Sequence, residues 1–198
     1  MVRCCKQLTA ISCLIFFPLL LSAQVGSYKR NADGIIVYPD TILSGNIRAV
    51  QLQVINEKII RVTASPEGSI PAFNSLSVVP QQPFTKWELK VNNGKLELST
   101  GALTAIISPH MGSVAFADST GRIILSEKKA GGRMAKRVMQ EGQSMWRVKQ
   151  SFETDENDAY YGLGQHQDDV WNYKGKQVQF FQNNTEVAIP FLVSIKNY

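Results

Sequence analysis

Residues 86–99 read KWELKVNNGKLELS, and this stretch decides the fold class. Trp87, Leu89 and Val91 alternate with Glu88 and Lys90. After Asn92-Asn93-Gly94, Leu96 and Leu98 alternate with Lys95 and Glu97. A period of two places the apolar side chains of each run on one face of an extended strand. Asn-Gly between two such runs is a strong hairpin signal, because both central residues of the favoured tight turn need positive φ.

The same pattern extends in both directions. In NIRAVQLQVI (Asn46 to Ile55), Val50, Leu52 and Val54 share a face opposite Gln51 and Gln53. KIIRVT (Lys58 to Thr63) returns after a turn at Asn56-Glu57. Further strands are expected at Leu103–Ile107, Ser113–Ala117, Arg122–Leu125, Trp146–Phe152 and Val178–Phe181. No segment shows a helical stripe. Two stretches break the series: Ser65–Pro83, with four prolines, reads as an irregular connection, and Ala130–Gln143 as a long loop or uneven hairpin. Short strands at turn-punctuated intervals predict an all-β antiparallel sandwich or barrel.

The first residues have another character. MVRCCKQLTAISCLIFFPLLLSAQ combines Arg3 and Lys6, an apolar run over Ile11–Leu21, and a small residue, Ala23, suited to signal-peptidase cleavage. That is the layout of a secretory signal peptide. The apolar run is shorter than the roughly 20 residues a bilayer crossing needs, so no membrane association is expected after cleavage. The expected organisation is a signal peptide over 1–23 and one β domain over 24–198. Cys4, Cys5 and Cys13 all lie in the leader, so the exported chain would rely on a hydrophobic core and not on disulfides. The net charge of +5 is spread without a long basic run, which argues against a nucleic-acid partner.

Chemistry-bearing residues gather late. GLGQHQDDVWNYKGKQ (Gly162 to Gln177) holds Gln165, His166, Asp168, Trp171, Asn172 and Tyr173. Sugars are recognised by stacking on aromatic rings while amides and carboxylates bond their hydroxyls, so Trp171 and Tyr173, with amides at Asn172 and Gln177 and one of Asp168 and Asp169, are candidates for carbohydrate contact. Trp171 and Tyr173 could equally be core residues. Asp168-Asp169 are chain neighbours and would point apart in an extended segment. His110, in SPHMG, reads as a turn histidine, and Asn183-Asn184-Thr185 matches the glycosylation sequon. There is no G-x-S-x-G, no zinc spacing, and Gly162-Leu163-Gly164 lacks the rest of a dinucleotide fingerprint. No cofactor, metal or catalytic residue is expected on this chain. VAIPFLVSI (Val187 to Ile195) is a near-continuous apolar strand, implying burial on both faces; Pro190 inside it implies an edge or a bulge.

Tyr161-Gly162-Leu163-Gly164-Gln165, followed by Asn184-Thr185-Glu186-Val187-Ala188-Ile189-Pro190-Phe191-Leu192-Val193-Ser194, closely resembles the end of the N-terminal domain of glycoside hydrolase family 31. Members carry Y-G-L-G-[EQ] and then N-T-E-x-x-I-P-F-L-x-S. Gln165-His166-Gln167 with Trp171-Asn172-Tyr173 is similar to the α-xylosidase branch. DGIIVYPD (Asp33–Asp40), IRAVQLQVINEKIIRV (Ile47–Val62), LSTGALTAIIS (Leu98–Ser108) and VAFADSTGRIILSE (Val114–Glu127) resemble earlier parts of that domain. The resemblance implies a β-sandwich of the galactose-mutarotase-like type packed on a (β/α)8 barrel, with one loop at the rim of the active site. It points to Gln165 to Tyr173 as that loop, and so to Gln165, His166, Asp168, Trp171, Asn172 and Tyr173 as the six candidate carbohydrate-binding residues. It implies retaining catalysis by two aspartates, both on the barrel.

Three readings follow. The first is the sandwich of an exported α-xylosidase-like or α-glucosidase-like enzyme, truncated before its catalytic barrel and supporting a site for α-linked xylosyl or glucosyl oligosaccharides. The second is a free-standing carbohydrate-binding module. The third, a mutarotase-like enzyme, needs a general acid and base in one pocket, and no such pair stands out.

Overall fold

The computed structural model describes residues 26–72, 78–79, 82–129 and 132–196; the expected signal peptide lies outside them. Thirteen strands and no helix occur among the described residues. A four-stranded antiparallel sheet runs in order β1 (Ser27–Asn31), β2 (Gly34–Tyr38), β3 (Ala49–Asn56) and β4 (Ile59–Ser65). A five-stranded sheet follows the same simple order: β5 (Glu88–Asn92), β6 (Lys95–Ser99), β7 (Leu103–Ile107), β8 (Val114–Asp118) and β9 (Ile123–Ser126).

The alternation seen in the sequence sets which face each strand buries. Val50, Leu52 and Val54 of β3 join Ile35 and Val37 of β2 in one cluster with Leu96 and Leu98 of β6, Ala105 and Ile107 of β7, and Val114 of β8. The core therefore lies between the two sheets, and the architecture is an antiparallel β-sandwich. Each fully buried Leu, Ile or Val contributes about 1.5–3 kcal/mol relative to exposure. The Asn93-Gly94 turn has φ of 49° and 72°, and Asn92 pairs with Lys95 across it, as the tight hairpin requires. Two bonds tie the sheets at their margins. Trp87 Nε1 donates to the Ala32 carbonyl at 3.1 Å, and Thr100 Oγ1 donates to the Glu57 carbonyl at 2.6 Å.

The described part of the stretch expected as a long loop or uneven hairpin, from residue 133 on, belongs to a regular hairpin. Its strands β10 (Arg133–Gln140) and β11 (Gln143–Gln150) turn at Glu141-Gly142, with φ of 51° and 78°. Ala135 joins the core and donates its N–H to the Gly45 carbonyl at 2.9 Å. The base of this hairpin is fixed by a buried ion pair between Arg133 and Glu127, whose side chains are 10% and 7% exposed. Arg133 also donates to the Gly112 carbonyl at 3.2 Å and to Gln150 at 3.0 Å, while Glu127 accepts the Val114 N–H at 3.2 Å. Burial pushes the Glu127 carboxyl up; Arg133 and the Val114 N–H oppose that push. Removing one partner would strand a buried charge at a cost of about 3–5 kcal/mol.

The last pair, β12 (Tyr160–Gln165) and β13 (Val187–Ser194), forms its own antiparallel ribbon. Two expectations are corrected here. Residues 178–181 are not a strand; Phe180 turns its ring edge-on to His166 of the loop instead of joining a ladder. The apolar run of β13 is not buried on both faces either, since Ile189, Phe191, Leu192 and Val193 are all exposed. Pro190 does sit in a bulge. Gly162 pairs with Leu192 and Gly164 with Ala188, so Ile189, Pro190 and Phe191 stand opposite Leu163 alone.

Candidate functional site

The Y-G-L-G segment has a mechanical explanation. Gly162, Leu163 and Gly164 all have positive φ, 104°, 65° and 102°. A Cβ on Gly164 would lie 1.9 Å from the Val187 carbonyl oxygen, and one on Gly162 would lie 2.5 Å from that of Phe191. Only glycine combines that backbone with so close an approach of β13. The kink shifts the register within β12, which pairs with β13 again through Gln165 and Val187 before the loop leaves it.

Four of the six candidate residues, Gln165, His166, Trp171 and Tyr173, line one concavity of about 460 Å³ together with Tyr161, Asp169 and Val170. His166 is held at its base. Its Nε2 lies 2.9 Å from the Leu163 carbonyl, and its ring meets Tyr173 and Phe180 edge-on at 6.1 and 6.2 Å. Phe180, expected in a strand, instead packs under the loop. Trp171 is 85% exposed, so the core alternative does not apply to it. Its indole is free to stack on an apolar sugar face. Tyr173 is half-buried; burial and then the Asp168 carboxylate push its phenol up.

Asp168 and Asn172 stand outside the lining. Asp168 accepts the Val170 N–H at 3.2 Å. Asn172 Oδ1 accepts the N–H groups of Tyr160 at 3.1 Å and Lys174 at 3.0 Å, so its carbonyl staples the loop to β12. Asp169 reaches the concavity because its φ of 52° breaks the extended alternation. Of the Asp168-Asp169 pair it is thus Asp169 that lines the concavity; Tyr161 and Val170 were not expected there, nor was Lys174 as an anchor, whose Nζ donates to the Asp155 and Glu156 carbonyls. Nothing in the local pattern marks that lysine; its partners lie 19 and 18 residues away.

A second groove, also about 460 Å³, runs between β4 and the β10–β11 hairpin and is walled by Ile47, Pro66, Pro71, Trp146 and Val148. Two of its charged groups are already engaged: Arg133 with Glu127, and Glu67 with Arg137 at 3.6 Å. The aromatic and polar groups of the 165–173 loop make the better site for a hydroxyl-rich ligand. His110 lies in a turn, as expected. Among the described residues no group of three or more His, Cys, Asp or Glu could hold a metal ion.

Residues 49–198 match the family described as the glycosyl hydrolase 31 N-terminal galactose mutarotase-like domain. The chain belongs to that family. A GH31 α-xylosidase from Xanthomonas citri superposes with a TM-score of 0.77 at 40% identity, over 85% of this chain and 18% of its own. The α-xylosidase of Saccharolobus solfataricus is 31% identical over 167 residues, 78% of this chain and 22% of that protein. A GH31 α-xylosidase from a soil metagenome, solved with xylose, shares the fold at a TM-score of 0.70 and 21% identity, over 85% of this chain and 26% of its own. This GH31 N-terminal domain thus spans about a fifth of the length of the relatives named first. Its sandwich, its Y-G-L-G kink and its I-P-F-L ribbon are the parts that the sequence resemblance had pointed to.

Proposed function

We propose that this chain serves as the N-terminal β-sandwich of an exported α-xylosidase-like glycosidase of family 31, acting in carbohydrate metabolism. In this reading the 165–173 loop lines part of the sugar site of a catalytic (β/α)8 barrel, and the apolar β12–β13 ribbon packs against that barrel. The observation that carries the proposal is the 40% identity to a GH31 α-xylosidase across 85% of the chain. The exposed ribbon supports it, since Ile189, Phe191, Leu192 and Val193 together make an apolar surface of the kind that marks an interaction site. Export is inferred from residues 1–23 alone. The substrate class is an α-linked xylosyl or glucosyl oligosaccharide.

Catalysis is assigned to the barrel, so the purified chain is expected to leave aryl α-xylosides and α-glucosides unhydrolysed. Turnover that survives removal of contaminating hydrolases and copurifies with the chain would overturn the proposal.

The exposure of Trp171 favours one second reading, a carbohydrate-binding module that works by itself. Calorimetry against xyloglucan fragments and malto-oligosaccharides separates the two. Saturable binding that is lost in Trp171→Ala, with the fold intact, supports the module. Absence of binding supports a loop that needs the barrel to complete its site.

A further inference from the structure

The loop is anchored from outside itself, by an acidic turn. Asp155-Glu156-Asn157-Asp158 closes with the Asp158 N–H on the Asp155 carbonyl at 3.1 Å and the Asn157 N–H on Asp155 Oδ1 at 2.9 Å. This turn receives two lysines from opposite ends of the following unit. Lys174, just past the candidate loop, donates to the carbonyls of Asp155 and Glu156. Lys196, just past β13, reaches Asp155 Oδ2 at 3.0 Å and Asp158 Oδ2 at 3.9 Å. Asp158 is itself 1% exposed and accepts the Ser194 hydroxyl at 2.7 Å and the Ala159 N–H at 2.9 Å.

We infer that residues 155–158 form a two-lysine clamp that sets how far the 165–173 loop stands from the ribbon. Lys174 is the positioning residue of the loop and Lys196 that of β13. Each arm holds a different element. The loop arm works with the Asn172 staple and the Tyr173 N–H to Tyr160 carbonyl bond, 2.9 Å long. The ribbon arm works with the Ile195 N–H to Ala159 carbonyl bond at 3.2 Å. The ammonium of Lys174 draws together two carbonyls that a neutral side chain would leave to water, and charge-assisted bonds of this kind are the stronger class. The clamp thereby fixes the orientation of Trp171 and Tyr173 with no contact to either ring. Its consequence for sugar rests on the function proposed above, but the clamp itself is read without sugar.

The test is site-resolved amide hydrogen exchange on the intact chain, comparing Lys174→Met, Lys174→Arg and Lys196→Met. Lys174→Met is expected to speed exchange at Tyr160 and Tyr173 by about tenfold, the scale of one hydrogen bond to a charged group. Leu98 and Ala105 in the sandwich should be unchanged, and Lys174→Arg should restore most of the protection. Lys196→Met should loosen Ile195 and leave Tyr173 as it was. Unchanged exchange at Tyr160 and Tyr173 in Lys174→Met would overturn the clamp. So would acceleration spread equally over the sandwich strands, or failure of arginine to rescue. A sugar-binding result of either sign leaves this outcome unaffected, which keeps the two proposals separable.

Discussion

The sandwich and the β12–β13 ribbon are both antiparallel, both rich in aliphatic residues, and stabilised by different means. In the sandwich, Leu52, Leu96, Leu98 and Ile107 face another sheet and lose their water. In the ribbon, Phe191 is 66% exposed, and the structure is held by its ladder, a glycine kink and the polar clamp at 155–158. Apolar content alone therefore does not report burial. What decides is whether the fold supplies a second layer, and a lone two-stranded ribbon is marginal without one.

Substitutions can break this comparison at either side. The largest effect is expected from Leu98→Ala, which empties a fully buried site and should cost about 2–5 kcal/mol in denaturant unfolding. Phe191→Ala, a larger deletion, should change the stability of this chain by less than about 0.5 kcal/mol. Similar losses at the two positions would show that the ribbon is buried in solution. Next comes Gly164→Ala. The added methyl meets the Val187 carbonyl and the residue keeps a φ that alanine resists, a local strain of about 1–3 kcal/mol. Amide exchange should rise across β12 and β13 while β3 and β6 stay protected.

The smallest effect sharpens the sandwich side. Asp118 ends β8 and caps the β8–β9 turn, and its carboxyl is lowered from 3.8 to about 2, chiefly by the Thr120 hydroxyl and then by Arg122 and the Thr120 N–H. A depressed carboxyl contributes stability that is present above its unfolded value and lost as pH falls through the folded one. Asp118→Asn should therefore flatten the acid limb of the stability profile between those two values. An unaltered limb would show that the turn bonds do not persist in solution.

Much of the sandwich was legible because each signal is local. Val50, Leu52 and Val54 declare their face by alternation, and Asn93-Gly94 declares its turn by chemistry. β1 was not legible, because SYKRN carries no apolar period; it forms because β2 offers an edge. The stretch 130–143 reads as a long loop or an uneven hairpin because it is glycine-flanked and polar; the regular hairpin shows only in the pairing of β10 with β11 and in the burial of Ala135. VQFF at 178–181 has strand composition, yet it joins no ladder, and Phe180 meets the His166 ring instead. The loop was legible as a composition of aromatics and amides and not as an arrangement. Which side chains face the concavity depends on the positive φ at Asp169 and on Lys174 bonding 18 and 19 residues upstream, and neither leaves a periodic mark.

The central claim is a self-sufficient sandwich carrying a ribbon and loop that it does not itself cover. Native-state amide exchange over the whole chain tests it most directly. Strands β3, β6 and β7 are expected to exchange only through global unfolding, while β12 and β13 open locally at much lower free energy. Protection of β12 and β13 equal to that of β3 and β6 would contradict it.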